Sequence, residues 1–348
     1  MLRNHLSQYK KKIDFRSIIG FIISGILLLY TVKKSEIGWR DLHFTPLSWA
    51  YFTLAVVAFI IAIYVQSKRA KIIWLERGKK QYEISTYESL VIGNFYNCIL
   101  PGNLGEGVRA YHFGKKNNVN FSQSLSSIIT EKWIDAQVFI VLSIILFIGK
   151  PFQYNYIMLA IGITSTAIVI FWTIYVIMQK YKSVEKYLWK KVVAVLGKLG
   201  LHMYRLYIYT SLHIQHLIKK KIMLRYLVAG MLIFFLNLAQ FYILLIAAGV
   251  NENITTLYTS YFIALSMMII AFIPSAPSNI GVMHYGVYSV LIVAAHQYGV
   301  IVTKDMLQTF AIFSIYVHLS YFIPEIGMGA IFLIKERQII FKKNIPNH

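Results

Sequence analysis

Residues Leu47–Gln66 read LSWAYFTLAVVAFIIAIYVQ, twenty residues with no charged side chain and neither Gly nor Pro to interrupt them. A helix that crosses the ~30 Å hydrocarbon core of a bilayer needs roughly 20 predominantly apolar residues, and this stretch supplies them. Comparable runs recur at 17–32, 121–149, 156–178, 226–250 and 306–334, separated by short polar or basic stretches. Two further apolar stretches, 82–114 and 257–297, are broken near their centres by Pro and Gly. The pattern predicts an all-α, polytopic transmembrane bundle of about six spanning helices plus two broken, re-entrant hairpins. The first run ends in LLYTVK at 28–33 without a small-x-small cleavage site, so it reads as a retained helix rather than a signal peptide.

Composition agrees. Of 348 residues 57% are hydrophobic and only 14% charged, with mean hydropathy +0.57; an ordinary soluble domain carries about 25% charged residues. A soluble enzyme of ordinary composition is thereby excluded. The net charge of +21 would suit a nucleic-acid binder if it formed one basic face on a soluble fold, but it is spread over alternate loops. Segments 1–16, 67–80, 115–120, 179–225 and 335–348 together carry +24, whereas 33–46, 149–155, 250–256 and 300–305 together carry +1, and the apolar segments carry −4. Under the positive-inside rule this places both termini in the cytoplasm of a multi-pass protein of the cell membrane, with no nucleic-acid partner. One membrane domain, 1–348, is expected: a first half 1–178 with hairpin 82–114, a basic segment 179–225, a second half 226–334 with hairpin 257–297, and a tail 335–348. The segment 179–225 interleaves lysines with Trp189, Tyr204 and Tyr207 and reads either as amphipathic helices lying on the cytoplasmic leaflet or as a solvated loop.

Both breaks contain Pro-x-Asn-[Leu/Ile]-Gly, at Pro101–Gly105 and at Pro277–Gly281, 176 residues apart. By the loop charges the first lies between two cytoplasmic loops and the second between two external ones, the arrangement of an inverted repeat with a site made from discontinuous helices. Irregular backbone at membrane depth must be buried in protein or line a wet cavity.

The charges that interrupt the apolar pattern are the candidate functional groups. An intramembrane Arg is a functional-site hypothesis, and of nine arginines only Arg109 falls within a break. The backbone N–H groups of the glycines just before it, Gly105 and Gly107, with the Arg109 guanidinium would cradle a phosphate; the competing reading is an internal ion pair with Glu106, Glu131 or Asp135. Glu131 and Asp135 are four apart, on one helix face, and read as proton-coupling groups or as static partners of Arg109 or Lys132. Glu325, beside Pro324, and His284 are weaker members of the same set, as is Glu88. His213-x-x-His216 has metal-like spacing but no third ligand and reads as surface chemistry on an interfacial helix. A single cysteine, Cys98, excludes an internal disulfide and a Cys-rich metal site. No phosphate-binding loop, H-E-x-x-H or similar motif occurs, so no catalytic residue, metal or cofactor is assigned.

The run Asn97-x-x-Leu100-Pro101-Gly102-x-Leu104-Gly105-Glu106-x-x-Arg109-x-Tyr111 resembles the signature of the lysylphosphatidylglycerol synthase transmembrane-region family, also called the flippase-like domain. Glu131-Lys132-Trp133-Ile134-Asp135 is similar to its Glu-Arg-x-x-Asp helix, and the second break to its Pro-rich, Gly-containing hairpin. Three positions depart from the pattern: Lys132 stands for Arg, Ser278-Asn279 for a Gly pair, and His284 for an acidic residue. The resemblance implies a translocase that moves an anionic phospholipid or polyprenyl-phosphate-linked lipid between leaflets. Its substrate would be held by Arg109 with Asn97, Gly102, Gly105, Glu106 and Tyr111, and by Asn279 and Gly281 of the second break. The family's best-known members append an aminoacyl-transferase domain, an activity not expected of a chain that ends 14 residues past its last apolar run. The alternatives are an integral-membrane transferase using Glu106, Glu131 or Asp135 as general base, or a lipid-binding accessory subunit. Oligomeric state and any partner enzyme stay open.

Overall fold

The structure, a computed structural model, describes residues 15–38, 45–74, 81–101, 104–148, 155–219, 221–270 and 273–343. Among them lie twelve α-helices and no strand: α1 (Phe15–Ser35), α2 (Pro46–Ile72), α3 (Gln81–Ile99), α4 (Gly105–Asn117), α5 (Phe121–Ile148), α6 (Asn155–Lys180), α7 (Lys182–Leu196), α8 (Lys198–Lys219), α9 (Met223–Ala247), α10 (Leu257–Ile270), α11 (Val282–Gln297) and α12 (Lys304–Lys343). The apolar runs become helices at the expected places. The last helix passes through Pro324 and continues to Lys343, so much of the expected tail is helical.

The outward faces are apolar. On α1 Phe21, Ile22, Ile26 and Leu29 are exposed, and on α2 Leu47, Leu54, Val57 and Ile61. Water would penalise so much contiguous apolar surface, which marks a lipid-facing wall. Four described segments are long and apolar enough to cross a bilayer: Pro46–Ile72, Met223–Ala247, Pro277–Gln297 and Lys304–Lys335. α5 has the length at 28 residues, but any 18-residue window of it includes Glu131, Lys132 and Asp135. The broken segments divide as expected, α3 from α4 and α10 from α11. At 1.5 Å per residue α4 and α10 reach only ~20 Å, short of a bilayer core.

The chain forms two compact units. One comprises residues up to Ile61, 91–106 and those from Leu236 onward; the other comprises 62–90 and 107–235. At the centre of the first unit, α11 packs against α1, α10 and α12. It buries His284, Val287, Tyr288, Leu291, Ala294 and Ala295, the i, i+3, i+4, i+7 spacing of one helix face. The break before α11 is seated on α1. Ala276 N–H donates to Ser24 Oγ at 2.8 Å, and a side chain at Gly20 would meet the Ser275 backbone at 3.1 Å. Ser278, Asn279 and Gly281 all take positive φ, and a Cβ at Gly281 would collide with the Ser24 backbone.

In the second unit α5 is the spine, packed by α8 and α6. Ile134, Val138 and Leu142 recur every fourth residue and meet Trp74, Phe113, Leu217 and Tyr226 in one apolar cluster. The basic segment 179–225 folds as two helices. α7 buries no residue and sets Trp189 against the Tyr204 and Tyr207 rings of α8, centroids 5.3 and 5.1 Å apart. α8 is not the surface helix expected of that segment. Its C-terminal half is docked on α5 by Ser211, Ile214 and Leu217. His213, expected at the surface, is 7% exposed with its ring 5.2 Å from Trp74, because Ile214 and Leu217 turn that face inward.

Gly281→Ala should destabilise the protein by about 2–4 kcal/mol, through both the positive φ and the clash with α1, while Gly25→Ala, which meets nothing within 4 Å on the same α1, should be neutral or mildly stabilising. Thermal unfolding in detergent, followed by fluorescence-detected size exclusion, separates the two.

Candidate functional site

The second unit holds two buried arginines, Arg69 and Arg109. Arg109, on α4, directs Nη2 to both carboxylate oxygens of Glu131 on α5, each at 2.9 Å, with the side chains 4% and 1% exposed. The start of α4 is set by glycine. Gly105 N–H donates to Asn97 Oδ1 at 2.7 Å, and a Cβ at Gly105 would collide with Gly93 O and the Asn97 side chain. This close approach begins α4 directly beside the end of α3 and puts Arg109 one helical turn inside it.

One turn further along α5, Asp135 takes Arg69 of α2 in a two-pronged pair, Nη2 to Oδ2 at 2.9 Å and Nη1 to Oδ1. The Arg69 guanidinium lies 5.1 Å from the Tyr226 ring centroid, a cation–π contact. Gly230 leaves it room, since a Cβ there would meet Nη1 at 3.1 Å. Burying an ion costs several kcal/mol even after relaxation, so the Arg109–Glu131 pair is expensive, whereas Asp135 keeps 34% of its side chain exposed beside the buried Arg69.

A third pair joins Lys116 of α4 to Glu88 of α3. Beside it Ser85 Oγ donates to Asn117 Oδ1 at 3.0 Å, and Ser89 Oγ meets His112 Nδ1 at 2.8 Å. A small cavity touches this row. Thr86, Ser89, Ser124 and Ser127 line it with Arg109 and Glu131, beside the apolar Trp74 and Phe113. It holds about one water-sized volume. The hydroxyls of Ser89 and Ser127 donate to backbone carbonyls of their own helices.

In the first unit the two breaks meet. Cys98 Sγ donates to Glu325 Oε2 at 3.1 Å and is hydrogen-bonded to Ser278. The His284 and His318 rings lie 5.0 Å apart, and Gln240 Nε2 donates to Ser320 Oγ at 3.0 Å. Asn279 Oδ1 accepts from Ser275 Oγ at 2.5 Å, and Gly281 N–H donates to His284 Nδ1 in a long 3.4 Å contact.

The sequence-predicted residues therefore divide. Arg109 and Glu131 are brought together. Asp135 lies one turn away, but Arg69 is its partner, where Arg109 or Lys132 was expected; Lys132 lies on the exposed face of α5. Glu106 is half-buried in the first turn of α4. Tyr111 is 61% exposed, because two positions from Arg109 is about 200° around the helix. Asn97 caps α4, Gly102 lies outside the described residues, and Asn279, Gly281, His284 and Glu325 belong to the first unit. Arg69 was assigned to a cytoplasmic loop. It sits in the last turn of α2, seven residues after buried Ala62, and that period was the signal that could have found it. Among the described residues no group of three His, Cys, Asp or Glu side chains could hold a metal ion.

Apolar outward faces on the long helices and, within the second unit, a buried arginine–carboxylate pair mark a multi-pass helical membrane protein. Residues 17–315 match the family described as Lysylphosphatidylglycerol synthase TM region; the chain belongs to this family, which ties it to lipid handling. No curated protein and no solved structure matches it.

Removing one partner of a buried pair strands the other charge. Glu131→Ala should therefore cost about 3–5 kcal/mol, whereas the double replacement Arg109→Met with Glu131→Met should recover most of that loss. Thermal unfolding of the two variants beside the wild type checks this.

Proposed function

We propose that this protein moves an anionic lipid, a phospholipid or a polyprenyl-phosphate-linked lipid, between the leaflets of the cell membrane, with both termini in the cytoplasm and Arg109 as the phosphate-binding residue. The observation that carries the reading is the Arg109–Glu131 pair, almost fully buried beside a hydroxyl-lined cavity in a member of a lipid-handling membrane family. A buried ion pair is weak as a stabiliser against well-packed apolar residues, so retention of this one fits an exchange of partners. In the resting state Glu131 neutralises Arg109 and the cavity is nearly closed. A lipid phosphate replaces Glu131 on the guanidinium, since the fork of N–H donors suits phosphate as well as carboxylate, and the serine and threonine hydroxyls turn from their own helices to the head group. Returning Arg109 to Glu131 releases the lipid. The same replacement governs equilibration in either direction, so the reading requires no bound nucleotide.

The test is translocation of fluorescent phosphatidylglycerol in proteoliposomes. The Arg109→Met, Glu131→Met double variant should remain folded and lose translocation at least about tenfold, the loss of one charge-assisted phosphate contact. Arg109→Lys should keep part of the rate, because an ammonium retains the charge but not the fork. Wild-type rates in the double variant would overturn the assignment of Arg109. Chemical conversion of the lipid by purified protein, without leaflet movement, would favour an integral-membrane transferase instead.

A further inference from the structure

The polar contacts that α4 makes with α3 and α5 are ordered along one line. Arg109, His112 and Lys116 are spaced i, i+3, i+7 on α4 and fall within about 60° of arc on one face, spread along ~10 Å of helix. Each meets an oxygen of a neighbouring helix: Glu131 for Arg109, Ser89 Oγ for His112 and Glu88 for Lys116. Exposure rises in the same order. Arg109 is 4% exposed, His112 is half-buried, and the Lys116 side chain is 32% exposed at the loop end of α4. Ser89 joins the steps, because it contacts His112 and lines the cavity beside Arg109. Lys115, one residue away, points outward, so the line is a property of this face and not of basic composition alone.

We propose that Lys116, His112 and Arg109 form a stepped phosphate track along α4, which takes the phosphate of an anionic lipid from the surface at Lys116 to the buried guanidinium. The proposal rests on the lipid-translocation reading above and adds to it the route and the side of access. Glu88 acts as a competing carboxylate: it holds Lys116 when no lipid is present and gives it up to a phosphate. Ser89 passes the head group between His112 and the Arg109 cavity. Arg109 is the terminal binding residue, and Lys116 and His112 are binding residues on the way to it.

The alternative is that Glu88–Lys116 is only a clasp between α3 and α4, and the two roles respond to substitution with opposite signs. In proteoliposomes with fluorescent phosphatidylglycerol at low mole fraction, Lys116→Gln should slow translocation about fivefold, the effect of one lysine on an anionic lipid near a surface. His112→Gln should slow it as well, and Glu88→Gln should raise the rate by releasing Lys116. All three are near-isosteric or half-exposed changes, and size exclusion confirms folding. A fall in Glu88→Gln matching that in Lys116→Gln, or an unchanged rate in Lys116→Gln, overturns the track. Phosphatidylglycerol retained by purified protein, measured by native mass spectrometry, separates this from failure of the translocation reading. Wild-type protein that moves no lipid but retains it, with retention lowered in Lys116→Gln and not in Glu88→Gln, keeps the track and discards translocation. Translocation that depends on Arg109 but not on Lys116 does the reverse.

Discussion

The interaction on which the second unit depends is the capture of two arginines by two carboxylates one turn apart on α5. Glu131 and Asp135 bring Arg109 from α4 and Arg69 from α2 onto the same helix. A lone buried charge would be costly, so Arg69 and Arg109 are each met by a carboxylate. The glycines follow from that requirement: Gly230 clears the space that the Arg69 guanidinium fills, and Gly105 lets α4 start against α3. Around this polar centre the apolar period of α5, at Ile134, Val138 and Leu142, supplies ordinary packing.

The first unit solves a different problem, the burial of irregular backbone. Its second break is anchored by Ser24 and closed against α1 at Gly20 and Gly281, while positive φ at three positions turns the chain within a short distance. Cys98, Ser278 and Glu325 bring the two breaks together through polar side chains. Polar groups of broken helices are thus met by protein rather than by lipid, as membrane burial demands. One residue of the Pro-x-Asn-[Leu/Ile]-Gly motif serves a local purpose in each copy: Gly105, which ends the first, lets α4 start against α3, and Asn279, inside the second, braces a turn.

Much of the site was legible in the chain. Arg109 stood out because arginine in an apolar segment is rare, and Glu131 and Asp135 because their spacing puts two carboxylates on one face. The helical character of 82–114 and 257–297 followed from their apolar residues, and the position of each break from Pro and Gly. What misled was the boundary of α2. Arg69 lies among Lys68, Lys71, Arg77, Lys79 and Lys80, a composition that describes a loop, yet its place in the helical period directs it inward while Lys68 points out. The lysine-rich 179–225 misled in the same way, since Ile214 and Leu217 form a short inward stripe within a basic background.

Hydropathy, loop charge and the placement of Gly and Pro determined by themselves that this is a helical membrane protein with two broken segments and with charge at its interior, because those features follow from local composition and helical period. Pairing was decided only by tertiary structure. Arg109 could have met Glu106, Glu131 or Asp135, and Asp135 could have met Arg109 or Lys132. Which carboxylate meets which arginine depends on the rotation and depth at which helices pack, and those are set by side-chain contacts between segments distant in the chain, on which the sequence period is silent.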